Sequence, residues 1–341
     1  MASANIPEST LTAFPFGEIA SVKPISIGLI HQTYQIRATN GMFILQRLHA
    51  VLASDAIGKD FLAVTRHLEA EGFPAARCVL STKGKVLVKD AQGHKWRAQT
   101  FLKGKTYHRV ESTAMVREAG AIFARFHHVM AHSDYVFKST KILHETEKIF
   151  ETFTNVVKKH WDSPLMKDVA DEVAYLSKEI HKVLLPSDLP LRAIHGDPKI
   201  SNLLFDAKGR AAAIVDLDTC NRRPLLVETG DAFRSWCGGK EDDPKNCFRL
   251  EIFKAGWKGY AAGAGDFITS RERKLVPKSV ATITLELTAR FLTDYFNDNY
   301  FGWDASRYPS RRAHNLARVR GQLALYRDIW KKMDKMKAIV G

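Results

Sequence analysis

The hydrophobic pattern changes period once, near residue 102, and that change restricts the chain to a two-part architecture. Before it, apolar residues alternate in short strand-like runs: Ile25–Ile27, Thr33–Arg37, Met42–Gln46, Lys85–Lys89 and Trp96–Phe101. Gly28, Asn40-Gly41, Lys83-Gly84 and Gln92-Gly93 punctuate them. Period-two alternation suits a half-buried strand, and Asn40-Gly41 between two such runs predicts a hairpin. One helix interrupts the strands, from about Ser54 to Glu71, stopped by Gly72 and Pro74. Beyond Lys103-Gly104-Lys105 the period becomes helical. Met115, Val116, Ala119, Ile122, Phe123, Phe126 and Met130 recur at i, i+3, i+4 spacing, and Ser112 or Thr113 would cap that helix. Further helices are expected at about 143–160, 165–184, 245–262, 276–297 and 313–337, around one strand-rich island, Leu203–Phe205 and Ala212–Leu217. The expected fold class is α+β: a small antiparallel-sheet lobe over residues 1–102 and a mainly helical lobe over 103–341.

With 45% hydrophobic and 26% charged residues among 341, the chain can bury a sizeable core. The net charge of +14 favours anionic partners, but it is spread along the sequence and meets no nucleic-acid-binding motif, so no nucleic-acid partner is expected. Cys78, Cys220, Cys237 and Cys247 form no CxxC pair, which argues against a thiolate metal site. No basic-then-apolar leader and no run of 18 apolar residues is present, so with reduced thiols the expectation is a cytoplasmic protein without membrane contact. A monomer or homodimer is expected.

The most polar motif precedes the strand-rich island. His195-Gly196-Asp197-Pro198-Lys199-Ile200-Ser201-Asn202 has the spacing H-x-D-x-x-x-x-N of a phosphoryl-transfer loop, and Asp216 ends an apolar strand 19 residues after Asp197. A hairpin would return Asp216 to the loop. Each residue type has a task in that chemistry. Asp197 can orient an attacking hydroxyl and take its proton. Asn202 and Asp216 offer hard oxygens for Mg²⁺, and Asp218 is a further candidate ligand. Lys199 can hold the transferring phosphate, while His195 braces the loop.

These motifs resemble the aminoglycoside phosphotransferase and choline kinase superfamily, which has H-G-D or H-N-D where protein kinases have H-R-D. Gly120-Ala121-Ile122-Phe123-Ala124-Arg125-Phe126-His127 is similar to a helix of that group, and the likeness runs along nearly the whole chain. It implies a bilobal protein-kinase-like fold that binds ATP with Mg²⁺. By that resemblance, Ser26 to Tyr34, with Gly28, covers the phosphates. The next strand would end in a phosphate-binding Lys, yet Gln46 and Arg47 stand there, so either could replace it. Backbone groups of Phe101 and Leu102 would meet the adenine.

Three segments further resemble N-acetylhexosamine 1-kinases: Phe43-Ile44-Leu45-Gln46-Arg47-Leu48; Val215-Asp216-Leu217-Asp218-Thr219 with Gly230-Asp231-Ala232-Phe233-Arg234; and Arg290-Phe291-Leu292-Thr293-Asp294-Tyr295 followed by Tyr300-Phe301. The resemblance implies phosphorylation of the anomeric hydroxyl of a sugar acceptor bound by Arg290 and Tyr300, with Asp197 as base. Asp231 is placed at the acceptor or beneath the loop, and His31 within reach of the acceptor. Within the same fold, an aminoglycoside, an amino alcohol or homoserine is the alternative acceptor.

Overall fold

The computed structural model describes residues 6–25, 31–50, 52–140 and 143–341. A short helix, α1 (Glu8–Thr12), leads into β1 (Ile19–Ile25), β2 (Gln32–Ala38) and β3 (Gly41–Arg47). Helix α2 (Asp55–Ala70) follows, then β4 (Cys78–Val79), β5 (Val88–Lys89) and β6 (Lys95–Thr100). These strands pair antiparallel in the order β1-β2-β3-β6-β4, with β5 beside β6. Ala38 stands opposite Gly41 across the hairpin that Asn40-Gly41 predicted. The run Ile25–Ile27 needs correction: Ile25 closes a strand that starts at Ile19. Ser26, Ile27 and Gly28 lie outside the described residues.

The pleat sorts the sheet into two faces. Tyr34, Ile36, Phe43, Leu45, Trp96 and Ala98 bury one face against Phe14 and Phe16. Gln46 and Arg97, opposite each other in register, take the other face, which looks toward the helical lobe. Helix α2 is capped by Ser54, whose hydroxyl accepts the Ile57 N–H. Its Phe61, Val64 and Leu68 join the core of the larger lobe, not that of the sheet. The helix thus ties the two lobes together.

The larger lobe packs α3 (Thr113–Ala131) on α7 (Leu250–Ala264) so closely that a Cβ on Gly120 would lie 2.2 Å from the Gly256 carbonyl oxygen. Around them stand α4 (Thr146–Lys159), α5 (Ala170–Val183), α6 (Leu225–Cys237), α8 (Ser270–Asn297) and α9 (Arg311–Val340). Strand β7 (Leu191–Ile194) pairs with β10 (Asn221–Pro224), and β8 (Leu203–Phe205) with β9 (Ala211–Ile214). The result is the expected α+β, protein-kinase-like architecture. Helix α6 was not anticipated. It is enclosed on nearly every side, so it carries no polar stripe for a periodicity argument to find. No helix among the described residues is long and apolar enough to cross a membrane.

Candidate active site

The loop between β7 and β8 is held from below by side chains that leave its acidic face free. Buried Glu228 of α6 accepts the backbone N–H groups of His195 at 2.9 Å and Gly196 at 2.8 Å. His127, at the end of α3, lies 3.0 Å from Glu228 and 2.9 Å from the Tyr260 hydroxyl. Burial would raise the Glu228 carboxyl, but His127 and the loop N–H groups hold it below the usual range. His195 accepts the Asp197 N–H on Nδ1, so Nε2 donates to the Val215 carbonyl at 2.9 Å. Gly196 has φ +84°, and a Cβ there would lie 2.4 Å from the Thr219 carbonyl oxygen. Only glycine fits that turn without a shift.

On this base, Asp197, Lys199, Asn202 and Asp216 converge. Lys199 Nζ donates to Asp197 Oδ2 at 3.0 Å and lies 2.9 Å from Oδ1, without hydrogen-bond geometry to the latter. Enclosure favours loss of the Lys199 proton, but the Asp197 charge outweighs it and raises the ammonium above its ordinary value. Asn202 donates from Nδ2 to the Asp197 carbonyl at 2.8 Å and to Oδ2 at 3.3 Å, which turns its amide oxygen toward other company. Asp216, in the left-handed conformation with φ +64°, ends the β8–β9 hairpin and remains open to the cleft. Surrounding protein, with the Asp218 and Asp197 carboxylates, pushes its pKa up. A divalent cation between Asp216 and the Asn202 oxygen would relieve that crowding, and hard oxygen donors suit Mg²⁺.

Asp216, Asp218 and His31 present potential ligand atoms within 4.8 Å of one another. Two of the three are already engaged. Arg97 donates to both oxygens of Asp218, from one terminal nitrogen to Oδ1 and from the other to Oδ2 at 3.0 Å. The His31 ring accepts the His49 N–H on Nδ1, so its Nε2–H donates to Asp218 Oδ2 at 3.0 Å. Burial alone would raise the Asp218 carboxyl, yet Arg97 and His31 hold it well below the carboxylate range.

A second polar cluster joins α6 to α8. Arg234 donates to Asp231 Oδ1 from Nε at 3.0 Å and from a terminal nitrogen at 2.8 Å. His144 Nε2 stands 3.7 Å from Asp231 Oδ2, while Nδ1 lies 2.6 Å from Glu286 of α8. Burial opposes charging of His144, but Glu286 and Asp231 prevail and raise it to about 10. One turn along α8, the Arg290 guanidinium lies 5.8 Å from the Tyr300 ring centre and 5.5 Å from that of Phe301. Asp294 fixes this corner by accepting the N–H groups of Asn299, Tyr300 and Phe301.

The model of the phosphotransferase enzyme family matches residues 21–262. The chain belongs to this family. One curated relative is the homoserine kinase of Zymomonas mobilis subsp. mobilis, 24% identical over 244 residues, 72% of each chain. Among solved structures, a microcompartment-associated aminopropanol kinase aligns with TM-score 0.67 at 14% identity, covering 96% of this chain and 97% of its own. An amicoumacin kinase in complex with AMP-PNP and Ca²⁺ aligns with TM-score 0.63 at 15% identity, covering 96% and 92%.

The phosphotransferase therefore gathers Asp197, Lys199, Asn202 and Asp216 as the sequence predicts, and it brings Arg290 and Tyr300 together. Other expectations shift. Arg47 shares the sheet face of Phe43 and Leu45, away from the cleft, because it is one residue out of phase with Gln46. Gln46 accepts from Arg97 at 2.8 Å. Asp218 is placed as the partner of Arg97, not as an open ligand. His31, expected near the acceptor, has both ring nitrogens engaged at the seam between lobes. Asp231 is buried beneath the loop. Phe101 donates its N–H to Met42, while Leu102 N–H takes no partner among the described residues. Arg97, Glu228 and His144 escaped the sequence reading. Glu228, Asp231 and Arg234 at three-residue spacing were the available sign of a shared helix face.

Proposed function

We propose that this phosphotransferase uses ATP and Mg²⁺ to phosphorylate the anomeric hydroxyl of an N-acetylhexosamine or a related amino sugar. The meeting of Asp197, Asn202 and Asp216 on one loop and one hairpin carries the kinase part of this reading. Asp197 takes the acceptor proton as the hydroxyl oxygen bonds to the γ-phosphorus and the bond to the β–γ bridging oxygen breaks, releasing ADP. Lys199 offsets charge on the transferring group. Asn202 and Asp216 would hold Mg²⁺, which neutralises the triphosphate. ATP would lie against the sheet, with its base edge toward the N–H of Leu102, which has no partner among the described residues.

The acceptor part rests on charge pairing. Asp231 and Glu286 are matched by Arg234 and His144, so they offer little net negative charge to an amine. Arg290 makes ring contacts but no ion pair among the described residues, and its donors suit hydroxyls or an acetamido carbonyl. Tyr300, 64% exposed, offers a flat face to a pyranose. The homoserine kinase relative and the aminopropanol kinase structure support a second reading, an amine-bearing hydroxyl acceptor. Product analysis separates the two. An acid-labile sugar 1-phosphate from N-acetylglucosamine or N-acetylgalactosamine is expected. Turnover of homoserine, aminopropanol or kanamycin with none of any reducing sugar would replace the sugar reading by the second.

A further inference from the structure

The strand that by resemblance would end in a phosphate-binding lysine carries Gln46 at its penultimate position, and its last residue, Arg47, faces the other side of the sheet. The cation on the same sheet face as Gln46 comes from the adjacent strand. Arg97 is 2% exposed and lies directly across β3–β6 from Gln46. Its guanidinium sits 3.8 Å from the centre of the Phe61 ring of α2, holds Gln46 Oε1 at 2.8 Å, and grips both oxygens of Asp218. The sheet, α2 and the helical lobe thus meet on one side chain.

What Arg97 holds matters as much as where it sits. Asp218 belongs to the single helical turn Leu217–Thr219, and Asp216 is the residue that opens that turn. Asp216 adopts a left-handed backbone that a non-glycine residue takes only at an energetic cost. A fixed Asp218 keeps the turn, and so keeps Asp216 pointing into the cleft. With both Asp218 oxygens engaged, Asp216 is left as the open carboxylate of the pair. A buried ion pair is a weak source of stability compared with apolar packing. Orientation of a metal-binding neighbour is a better reason for one to stand here.

We propose that Arg97 is the positioning residue of the nucleotide site: acting through Asp218, it sets Asp216 toward the metal-bound triphosphate. The proposal rests on the kinase reading. It also assigns Asp218 as an anchor and not as a metal ligand.

The test uses the full chain without acceptor. Binding of a fluorescent N-methylanthraniloyl-ATP is titrated against Mg²⁺ for the wild type and for Arg97→Gln, Arg97→Lys, Asp218→Asn and the Arg97→Gln/Asp218→Asn double variant, with melting curves for each. The Mg²⁺ concentration giving half-maximal binding should rise about 10- to 100-fold in Arg97→Gln, the usual effect of losing a support behind a metal ligand. Arg97→Lys should recover part of the loss. Asp218→Asn should shift binding in the same direction, and the double variant should go no further than the worse single one. Should Arg97→Gln fail to melt cooperatively, a smaller shift of the same sign in Arg97→Lys supports the assignment, and an unchanged Mg²⁺ dependence there overturns it. A folded Arg97→Gln with wild-type Mg²⁺ dependence overturns it too. So does loss of metal-dependent binding in Asp218→Asn alone, which would make Asp218 a direct ligand. A wild-type chain that binds no nucleotide at all removes the kinase reading itself, a result distinct from any of these.

Discussion

Residue identity decides the chemistry at two places. In the proposed reaction Asp197 is the base: Lys199 and Asn202 fix its orientation while one oxygen keeps no hydrogen-bond donor among the described residues. Asp197→Asn keeps the shape and removes the basicity. Turnover should fall by about 10²- to 10⁴-fold, the range for a general base, with nucleotide binding retained; turnover within a few-fold of wild type would show another group acting as base. His144 makes a pH prediction. Its folded pKa is raised to about 10, against about 6.5 for a free histidine. The stabilisation from its charge is therefore complete below about pH 6.5 and is lost as pH climbs through about 10. The melting-temperature gap between wild type and His144→Gln should be widest near pH 6 and should narrow toward pH 10. Asp197, Asn202 and Asp216 were legible in the sequence because their spacing is set by one loop and one hairpin. Arg97 was not, since its partners Gln46 and Asp218 are 51 and 121 residues away.

At the scale of elements, the sequence is a good guide wherever one face meets water. The α2 and α3 boundaries follow from Ser54 and Ser112, each accepting an N–H of the first turn. Helix α6 was hidden for the opposite reason: a helix wrapped by α8, α7 and the catalytic loop shows no amphipathic rhythm. Its polar residues are inward-facing supports. Glu228 is the clearest, since two loop N–H groups and His127 all converge on it. Glu228→Ala would strand those donors in a dry interior and should destabilise the fold by about 3–5 kcal/mol, as other broken buried pairs do. Chemical denaturation would measure this, and a loss below about 1 kcal/mol would mean that the loop is braced elsewhere.

For the molecule as a whole, the change of hydrophobic period near residue 102 marked the passage from sheet to helices, yet it is not the seam of packing. Helix α2 precedes that point and is buried in the core that follows it. Periodicity shows which face of a helix is apolar, and is silent on which lobe will cover it. The proposed acceptor surface was the least legible part, because Arg290 and Tyr300 come together only when Asp294 folds the end of α8 back. The central claim is ATP-dependent phosphoryl transfer to a small-molecule hydroxyl. ADP release from wild-type and Asp197→Asn protein, with ATP and Mg²⁺ and a panel of N-acetylhexosamines, other reducing sugars, homoserine, amino alcohols and aminoglycosides, tests it most directly. Acceptor-dependent ADP release by the wild type, strongest with an N-acetylhexosamine and lost in the variant, is the predicted result; no acceptor-dependent release across the panel, or equal release from both proteins, would contradict it.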